Sequence, residues 1–232
     1  MKGVILCAGE GERLRPLTLT TPKPLLEIGG RPLLERTMAW LRGCGVVEVF
    51  INLHHLGGRI RAHVGDGSRF GVRVTYSEEE TLLGTAGALR AFAPRLDEAF
   101  VVVYGDVVAD PLDLADLTRA HVGKGGVGTL VLQKTDRPGD ADVIEVDRDL
   151  RVLAFHKTPG DFRHGDLSSA ALYLLEPEIL KDIPAALAAD FVADVFPRTL
   201  ARGGQLFGYV TNQELLDIGT PERLAEARRR YG

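Results

Sequence analysis

Residues 3–15 read Gly-Val-Ile-Leu-Cys-Ala-Gly-Glu-Gly-Glu-Arg-Leu-Arg, a short apolar run that breaks into a glycine-rich turn with an arginine behind it. A strand ending in such a turn commonly brings backbone N–H groups up to a phosphate. The dinucleotide fingerprint G-x-G-x-x-G needs a third glycine for close helix–strand packing, and that place is Leu14. The pattern G-x-x-x-x-G-K-[ST] occurs nowhere in the chain. A third kind of anion site is therefore required. Gly9 and Gly11 let the backbone approach an anion, Arg13 follows at once, and Lys23 stands between Pro22 and Pro24. The two prolines fix local backbone angles and place the lysine at little entropic cost. Guanidinium, ammonium and a nest of N–H donors together make a polyphosphate cradle. For Gly-x-Gly alone, a plain turn flanked by surface cations accounts equally well; the combination with Pro-Lys-Pro is what narrows the reading.

Outward from this turn, short β-branched runs alternate with helical patterns. Strands are expected at 3–7, 46–52, 72–76 and 99–104, and helices near 31–42, 57–64 and 84–92. Strand–helix–strand repetition implies a largely parallel sheet covered on both faces, with ligands beyond the carboxyl ends of its strands. Two segments leave strands there: CAGEGERLR after the first and YGDVVAD, residues 104–110, after the fourth. The second half is less regular. A helix at 112–121 and a strand at 127–133 precede three strand-like runs, DVIEVD, VLAFHK and AALYLL, which read as an added, partly antiparallel lobe. A helix near 192–202, a strand at 205–210 and a last helix follow, the last begun by Thr220 as N-cap and Pro221 in the first turn.

With 232 residues, 45% hydrophobic and 26% charged, the chain fits one domain able to bury a substantial core. A net charge of -4 gives no general attraction to nucleic acid or to an anionic membrane. Two cysteines, Cys7 and Cys44, are too few for a disulfide framework and suit a reducing cytoplasm. No run approaches the roughly 20 apolar residues of a membrane span, and the N-terminus turns polar too early for a signal peptide. Partners of small, phosphorylated chemistry are expected.

The stretch LCAGEGERLRPLTLTTPKPLLEIGGRPLLE closely resembles the signature of sugar-1-phosphate nucleotidylyltransferases. The likeness spans nearly the whole chain. TLLGTAGALR at 81–90 is similar to the family's base-binding turn and VVVYGDVVAD at 101–110 to its metal-binding strand end. FHKTPG at 155–160 is similar to its Glu-Lys-Pro segment and LLDIGTPERL at 215–224 to its Asp-x-Gly-Thr-Pro motif. The resemblance implies a three-layer Rossmann-like α/β fold, a mostly parallel sheet flanked by helices with a small, partly antiparallel sugar-binding lobe. It implies one domain over 1–232, residues 1–125 mainly for the nucleotide and 126–232 mainly for the sugar phosphate. The hexapeptide repeats of longer relatives are not found, so no C-terminal β-helix is expected.

The implied reaction is attack by a sugar-1-phosphate oxygen on the α-phosphorus of an NTP, releasing pyrophosphate. The nucleophile is already an anion at neutral pH, so no catalytic serine, cysteine or histidine is needed; alignment and charge stabilisation suffice. The resemblance assigns catalysis to Arg13 and Lys23, with Arg13 on the triphosphate and Lys23 near the α-phosphate. It assigns the nucleotide to Ala8, Gly9, Gly11, Glu79, Gly84 and Thr85, and the sugar phosphate to Glu145, Lys157 and Ser169. Asp106 and Asp217 become the ligands of Mg²⁺, which favours carboxylates plus substrate phosphates. Taken singly, Asp106 also reads as the opening of a turn and Lys157 as a solvated strand-end lysine.

The base turns on Glu79. Pyrimidine-transferring relatives carry a glutamine five residues before the glycine equivalent to Gly84, and this chain carries Glu79 there. Guanine offers two adjacent donors to a carboxylate, whereas uracil and thymine would meet it with carbonyl oxygens. GTP is therefore favoured over UTP and dTTP, against the alternative that Glu78, Glu79 and Glu80 form a solvated acidic face. Departures from the family wording gather in the sugar half. They are Asp142 where a glycine is usual, His156 for the glutamate of Glu-Lys-Pro, Ser169-Ala170-Ala171 for Asn-Ala-Gly, and Leu215 for an aromatic. Tyr104 also replaces an asparagine before Gly-Asp. An unusual sugar, or a catalytically weak nucleotide-sugar sensor, would account for them. His54 and His55, read as strand neighbours facing opposite ways, and Cys7 are assigned to packing or surface roles. Assembly into a homo-oligomer stays open.

Overall fold

The opening apolar run forms β1, Lys2–Leu6. After it come a two-strand ribbon, β2 Glu27–Ile28 and β3 Arg31–Pro32, and helix α1, Leu33–Gly43. Then follow β4 Glu48–Leu53, α2 Gly57–Val64, β5 Arg73–Glu78, β6 Phe100–Tyr104 and the short β7 Val107–Val108. The computed structural model describes residues 1–135, 142–156, 163–185 and 188–231. Two compact units emerge, the first formed by Met1–Leu82, Phe100–Leu112 and Leu215–Gly232, the second by Leu83–Ala99 and Asp113–Glu214. Each unit therefore draws on both halves of the chain.

In the first unit the strands lie in the order β6–β1–β4–β5, all parallel. Val4, Ile5, Val49, Phe50, Ile51 and the whole of Phe100–Val103 are fully buried, as strands covered on both faces require. Helix α1 buries Leu33, Leu34, Thr37, Met38 and Leu41, an i, i+3/i+4 stripe. Its Trp40 indole donates to the Leu112 carbonyl at 2.8 Å. Because the strands are parallel, their carboxyl ends share one edge. That edge carries Cys7 after β1, Asn52 in β4, Glu79 after β5 and Asp106 after β6.

In the second unit α3, Gly84–Gly87, continues as a 3₁₀ turn over Ala88–Ala91. Helix α4, Leu114–Lys124, starts with the Asp113 carboxylate accepting from the N–H groups of Ala115 and Asp116. Strands β8 Gly128–Lys134, β9 Val143–Val146, β10 Val152–His156 and β11 Leu167–Leu175 follow, then α5 Phe196–Ala201 and β12 Leu206–Val210. The order is β10–β9–β11–β8–β12, antiparallel except for β8 with β12. The chain then returns to the first unit as β13, Leu216–Asp217, antiparallel to β7, and α6, Pro221–Tyr231. The architecture is thus the expected Rossmann-like α/β class, a mostly parallel set of strands with an added, mostly antiparallel set.

Three local expectations change. The helix over 84–92 is α-helical only to Gly87, in keeping with two glycines in its first four residues. The helix near 192–202 opens with a π turn, Phe191–Val195, because Pro197 has no N–H to give the Ala193 carbonyl. Finally, β4 stops at Leu53, so His54 and His55 lie beyond the strand. His54 Nδ1 donates to the Glu79 carbonyl at 2.7 Å and His55 Nε2 to the Thr18 carbonyl at 2.8 Å, so both rings pin neighbouring loops.

Candidate active site

The glycine turn is anchored at both ends. Cys7 and Ala8 are buried, and the Cys7 N–H donates to Asn52 Oδ1 at 2.8 Å. Burial, and secondarily the charge of Asp106, pushes the Cys7 thiol far above its ordinary pKa, which leaves it a packing group. Gly11 sits in the left-handed region at φ +67, where a Cβ would lie 2.8 Å from Thr18 Cγ2. Thr18 in turn donates its hydroxyl to the Gly11 carbonyl at 2.8 Å. At Gly9 an added Cβ meets nothing, so that side of the turn is open. Leu14, in the place of the missing third glycine, is 1% exposed and packs with Leu26, Ile28, Leu33, Val108, Ile218, Leu224 and Ala227. The turn is thus tied into the core by a side chain, where a dinucleotide loop would rely on close backbone contact.

Arg13 is exposed beside that anchor, and no acid among the described residues pairs with it. Pro22 and Pro24 are buried, and between them Lys23 extends its ammonium to Asp106 Oδ2 at 2.9 Å. Asp217 comes to the same neighbourhood through the pairing of β13 with β7. Asp217 lies opposite Val107, and the Ile218 N–H donates to the Asp106 carbonyl at 2.8 Å. The Asp217 carboxylate accepts from the Gly219 N–H at 3.0 Å and pairs with Arg223. A Cβ on Gly219 would lie 2.8 Å from Asp217 Oδ1 and 2.9 Å from Arg13 Nη2, so Arg13 and Asp217 flank that glycine. A cavity of about 530 Å³ opens between Glu10, Gly11, Arg13, Lys23, Leu82 and Gly219. Arg13 and Lys23, the two residues expected to be catalytic, therefore face one space. Asp106 and Asp217 supply hard oxygen donors from neighbouring strand ends, each steadied on one side by a cation, a donor set that fits Mg²⁺.

Glu79 follows β5 and is 7% exposed. Asn52 Nδ2 donates to Glu79 Oε1 at 2.8 Å, while the other end of the same amide receives the Cys7 N–H. Glu79 is thus no part of a solvated acidic face; only Glu78 and Glu80 are exposed, Glu78 against Arg61 at 2.6 Å. Asn52, which the sequence reading passed over, links the glycine turn to the candidate base-reading acid. Its one signal is an amide set inside the apolar run Val49–Leu53.

In the second unit, Gly84 has φ +74, and a Cβ there would fall 2.5 Å from the Ala189 carbonyl oxygen. That oxygen accepts from the N–H groups of Ala86 and Gly87 at 2.9 and 3.0 Å. Thr85 donates its hydroxyl to Asp190 at 2.7 Å and receives the Phe191 N–H at 3.1 Å. The Thr85 hydroxyl is therefore committed internally, and what the turn offers is the N–H groups of Gly84 and Thr85. Glu145 on β9 accepts from His156 at 2.7 Å, which holds its carboxyl below the ordinary range. Ser169 lies at a bulge in β11, donating to the Tyr173 hydroxyl at 3.1 Å and accepting from the Ala171 N–H at 3.0 Å. Lys157 lies outside the described residues. Leu215, where an aromatic was noted as usual, is buried.

A family model described as nucleotidyl transferase matches residues 2–232. A UTP–glucose-1-phosphate uridylyltransferase of Synechocystis sp. is 32% identical over 234 residues, covering 94% of this chain and 60% of that protein. A mannose-1-phosphate guanyltransferase of Candida albicans is 36% identical over 233 residues, covering 96% and 62%. The chain thus spans about three-fifths of the length of these curated relatives. The solved structure of HddC from Yersinia pseudotuberculosis complexed with GMP-PN is 25% identical, with a TM-score of 0.83 over 100% of this chain and 99% of that one. Among the described residues no helix is long and apolar enough to cross a membrane.

Proposed function

Since the chain belongs to the nucleotidyl transferase family, we propose that it transfers a nucleotidyl group from an NTP, with GTP favoured, to a sugar-1-phosphate. The products are an NDP-sugar and pyrophosphate. The observation that carries this reading is the cavity onto which Arg13, Lys23 and the Gly11 turn all open. A guanidinium with no acidic partner among the described residues, an ammonium and an exposed glycine turn at one strand edge form a receptor for a polyanion.

The sugar phosphate oxygen forms a bond to the α-phosphorus while the bridge to the β-phosphate breaks, its electron pair leaving on pyrophosphate. Two anions must be held together, so the work is charge neutralisation and alignment. Arg13 takes the β- and γ-phosphates and shields their negative charge from the incoming anion. Lys23, placed by its buried prolines, turns from Asp106 to the α-phosphate oxygens when nucleotide enters. Asp106 and Asp217 would hold Mg²⁺, which when bound supplies charge neutralisation for the phosphates. Glu145, Ser169 and Lys157 hold the sugar phosphate in this reading, and both cysteines being free suits a cytoplasmic setting.

The preference for GTP rests on the carboxylate of Glu79 and agrees with the guanyltransferase relative. The uridylyltransferase relative makes UTP the second reading. The test is pyrophosphate release with each NTP, Mg²⁺ and a panel of hexose, heptose and amino-sugar 1-phosphates. Turnover with GTP well above UTP and dTTP is expected. Turnover with UTP or dTTP alone would overturn the base assignment, and none with any pair would promote a sensor over an enzyme.

A further inference from the structure

Three side chains in the second unit meet outside the nucleotide cradle. Glu145 on β9 pairs in register with Ala154, so His156, two residues further along β10, is its diagonal neighbour on the same face. His164 reaches the pair from the turn that leads into β11. Glu145 Oε2 lies 2.7 Å from His156 Nε2 and 3.4 Å from His164 Nδ1. The two imidazoles stack with centroids 3.7 Å apart and planes within 10°. One ligand atom from each residue falls within 4.8 Å of the other two.

We infer that Glu145, His156 and His164 form a site for a divalent transition-metal ion of the zinc class, distinct from the magnesium expected at Asp106 and Asp217. Bonds of about 2.0–2.1 Å in a tetrahedral site separate ligand atoms by about 3.3 Å. The 2.7 and 3.4 Å separations already straddle that value. The widest allowed gap, 4.8 Å, needs closing by at most about 1.5 Å, and the stacked rings must rotate to turn both nitrogen lone pairs to one point, as side chains 22–42% exposed permit. The donor types point the same way: two imidazoles and one carboxylate suit Zn²⁺, Co²⁺ or Ni²⁺, whereas Mg²⁺ prefers oxygen and water. Two protein nitrogens and one oxygen leave a fourth position open to water or an anionic oxygen. The ion would tie the β9–β10 hairpin to the chain entering β11.

The site shares Glu145 with the residues proposed to hold the sugar phosphate, but it needs neither NTP nor sugar, so its test is read without nucleotidyl transfer. The full chain, stripped with EDTA and returned to metal-free buffer, is titrated with Co²⁺ and followed by its visible absorption. A saturable band at one equivalent, displaced by Zn²⁺ and indifferent to excess Mg²⁺, is expected. His164→Ala should weaken binding at least about tenfold, and His156→Ala with His164→Ala should abolish the band while far-UV circular dichroism is unchanged. His164→Cys should restore one equivalent and add a sulfur-to-metal charge-transfer band, which separates a ligand from a structural residue. Absence of stoichiometric binding in the wild type, or an unchanged titration in the double variant, overturns the site.

Discussion

Replacing Asn52 by alanine should destabilise the protein by about 3–5 kcal/mol, although the side chain belongs to no catalytic group. Asn52 is 3% exposed and serves two buried partners at once. Its Oδ1 receives the Cys7 N–H and its Nδ2 serves Glu79 Oε1, both at 2.8 Å. Alanine leaves the Cys7 donor unsatisfied, at about 1–3 kcal/mol, and withdraws a donor from a buried acid, at about 1.5–3 kcal/mol. Their sum spans about 2.5–6 kcal/mol, the middle of which is the expected loss, and the cavity left by the lost amide adds little. For a chain of this size each kcal/mol lowers the melting temperature by roughly 2–4 °C, so a fall of about 6–20 °C is expected. Urea unfolding followed by circular dichroism measures the free energy and scanning calorimetry the midpoint. Combining Asn52→Ala with Glu79→Gln should give a coupling of at least about 1 kcal/mol. A loss below about 1 kcal/mol for Asn52→Ala, or additive effects in the pair, would refute the link between glycine turn and acid.

Leu14→Ala should cost about 2–5 kcal/mol in urea unfolding, as for other fully buried leucines, because it anchors the turn in the core. Ala171 has φ +53, where a left-handed alanine costs about 1–2 kcal/mol and glycine costs about 0.5–1 in unfolded-state entropy. Ala171→Gly should therefore stabilise the chain by about 0.5–1 kcal/mol, read from the same curves. The Tyr209 hydroxyl, 2.6 Å from Asp116, and then Arg119 hold that carboxyl below its ordinary 3.8. A lowered acid supplies stability above its unfolded pKa and loses it as pH falls. Tyr209→Phe should thus raise the Asp116 pKa in an NMR titration and narrow the stability gap to wild type as pH drops below about 4.

The four parallel strands of the first unit were legible to within one or two residues because a strand buried on both faces is a continuous β-branched run. GVILC and AFVVVY are examples, whereas the two-residue strands β2, β3, β7 and β13 carry no such run. The cradle was legible for another reason: Arg13, Lys23 and the glycines lie within one short stretch, and buried prolines on either side of Lys23 fix its place locally. What escaped notice depends on pairing. Cys7, Asn52 and Glu79 are brought together only because β1, β4 and β5 lie side by side, and a lone asparagine in an apolar run does not announce two partners. In sequence Leu14 stands only for the absence of a glycine, whereas its side chain does the anchoring. His164 carries no periodic signal at all, and its meeting with Glu145 and His156 depends on how β9, β10 and the approach to β11 fold. The 84–92 helix stops early because Gly84, which the close approach to Ala189 requires, and Gly87 both weaken it.

The most direct test of the central claim is to follow label from the α-phosphate and from the γ-phosphate of GTP in the presence of Mg²⁺ and sugar-1-phosphates. The α-label should appear in an NDP-sugar and the γ-label in pyrophosphate, at a rate that Lys23→Ala lowers by about a hundredfold or more, as loss of a charge-stabilising donor does. Release of the α-label as free nucleotide, transfer from no NTP at all, or an unchanged rate in Lys23→Ala would contradict it.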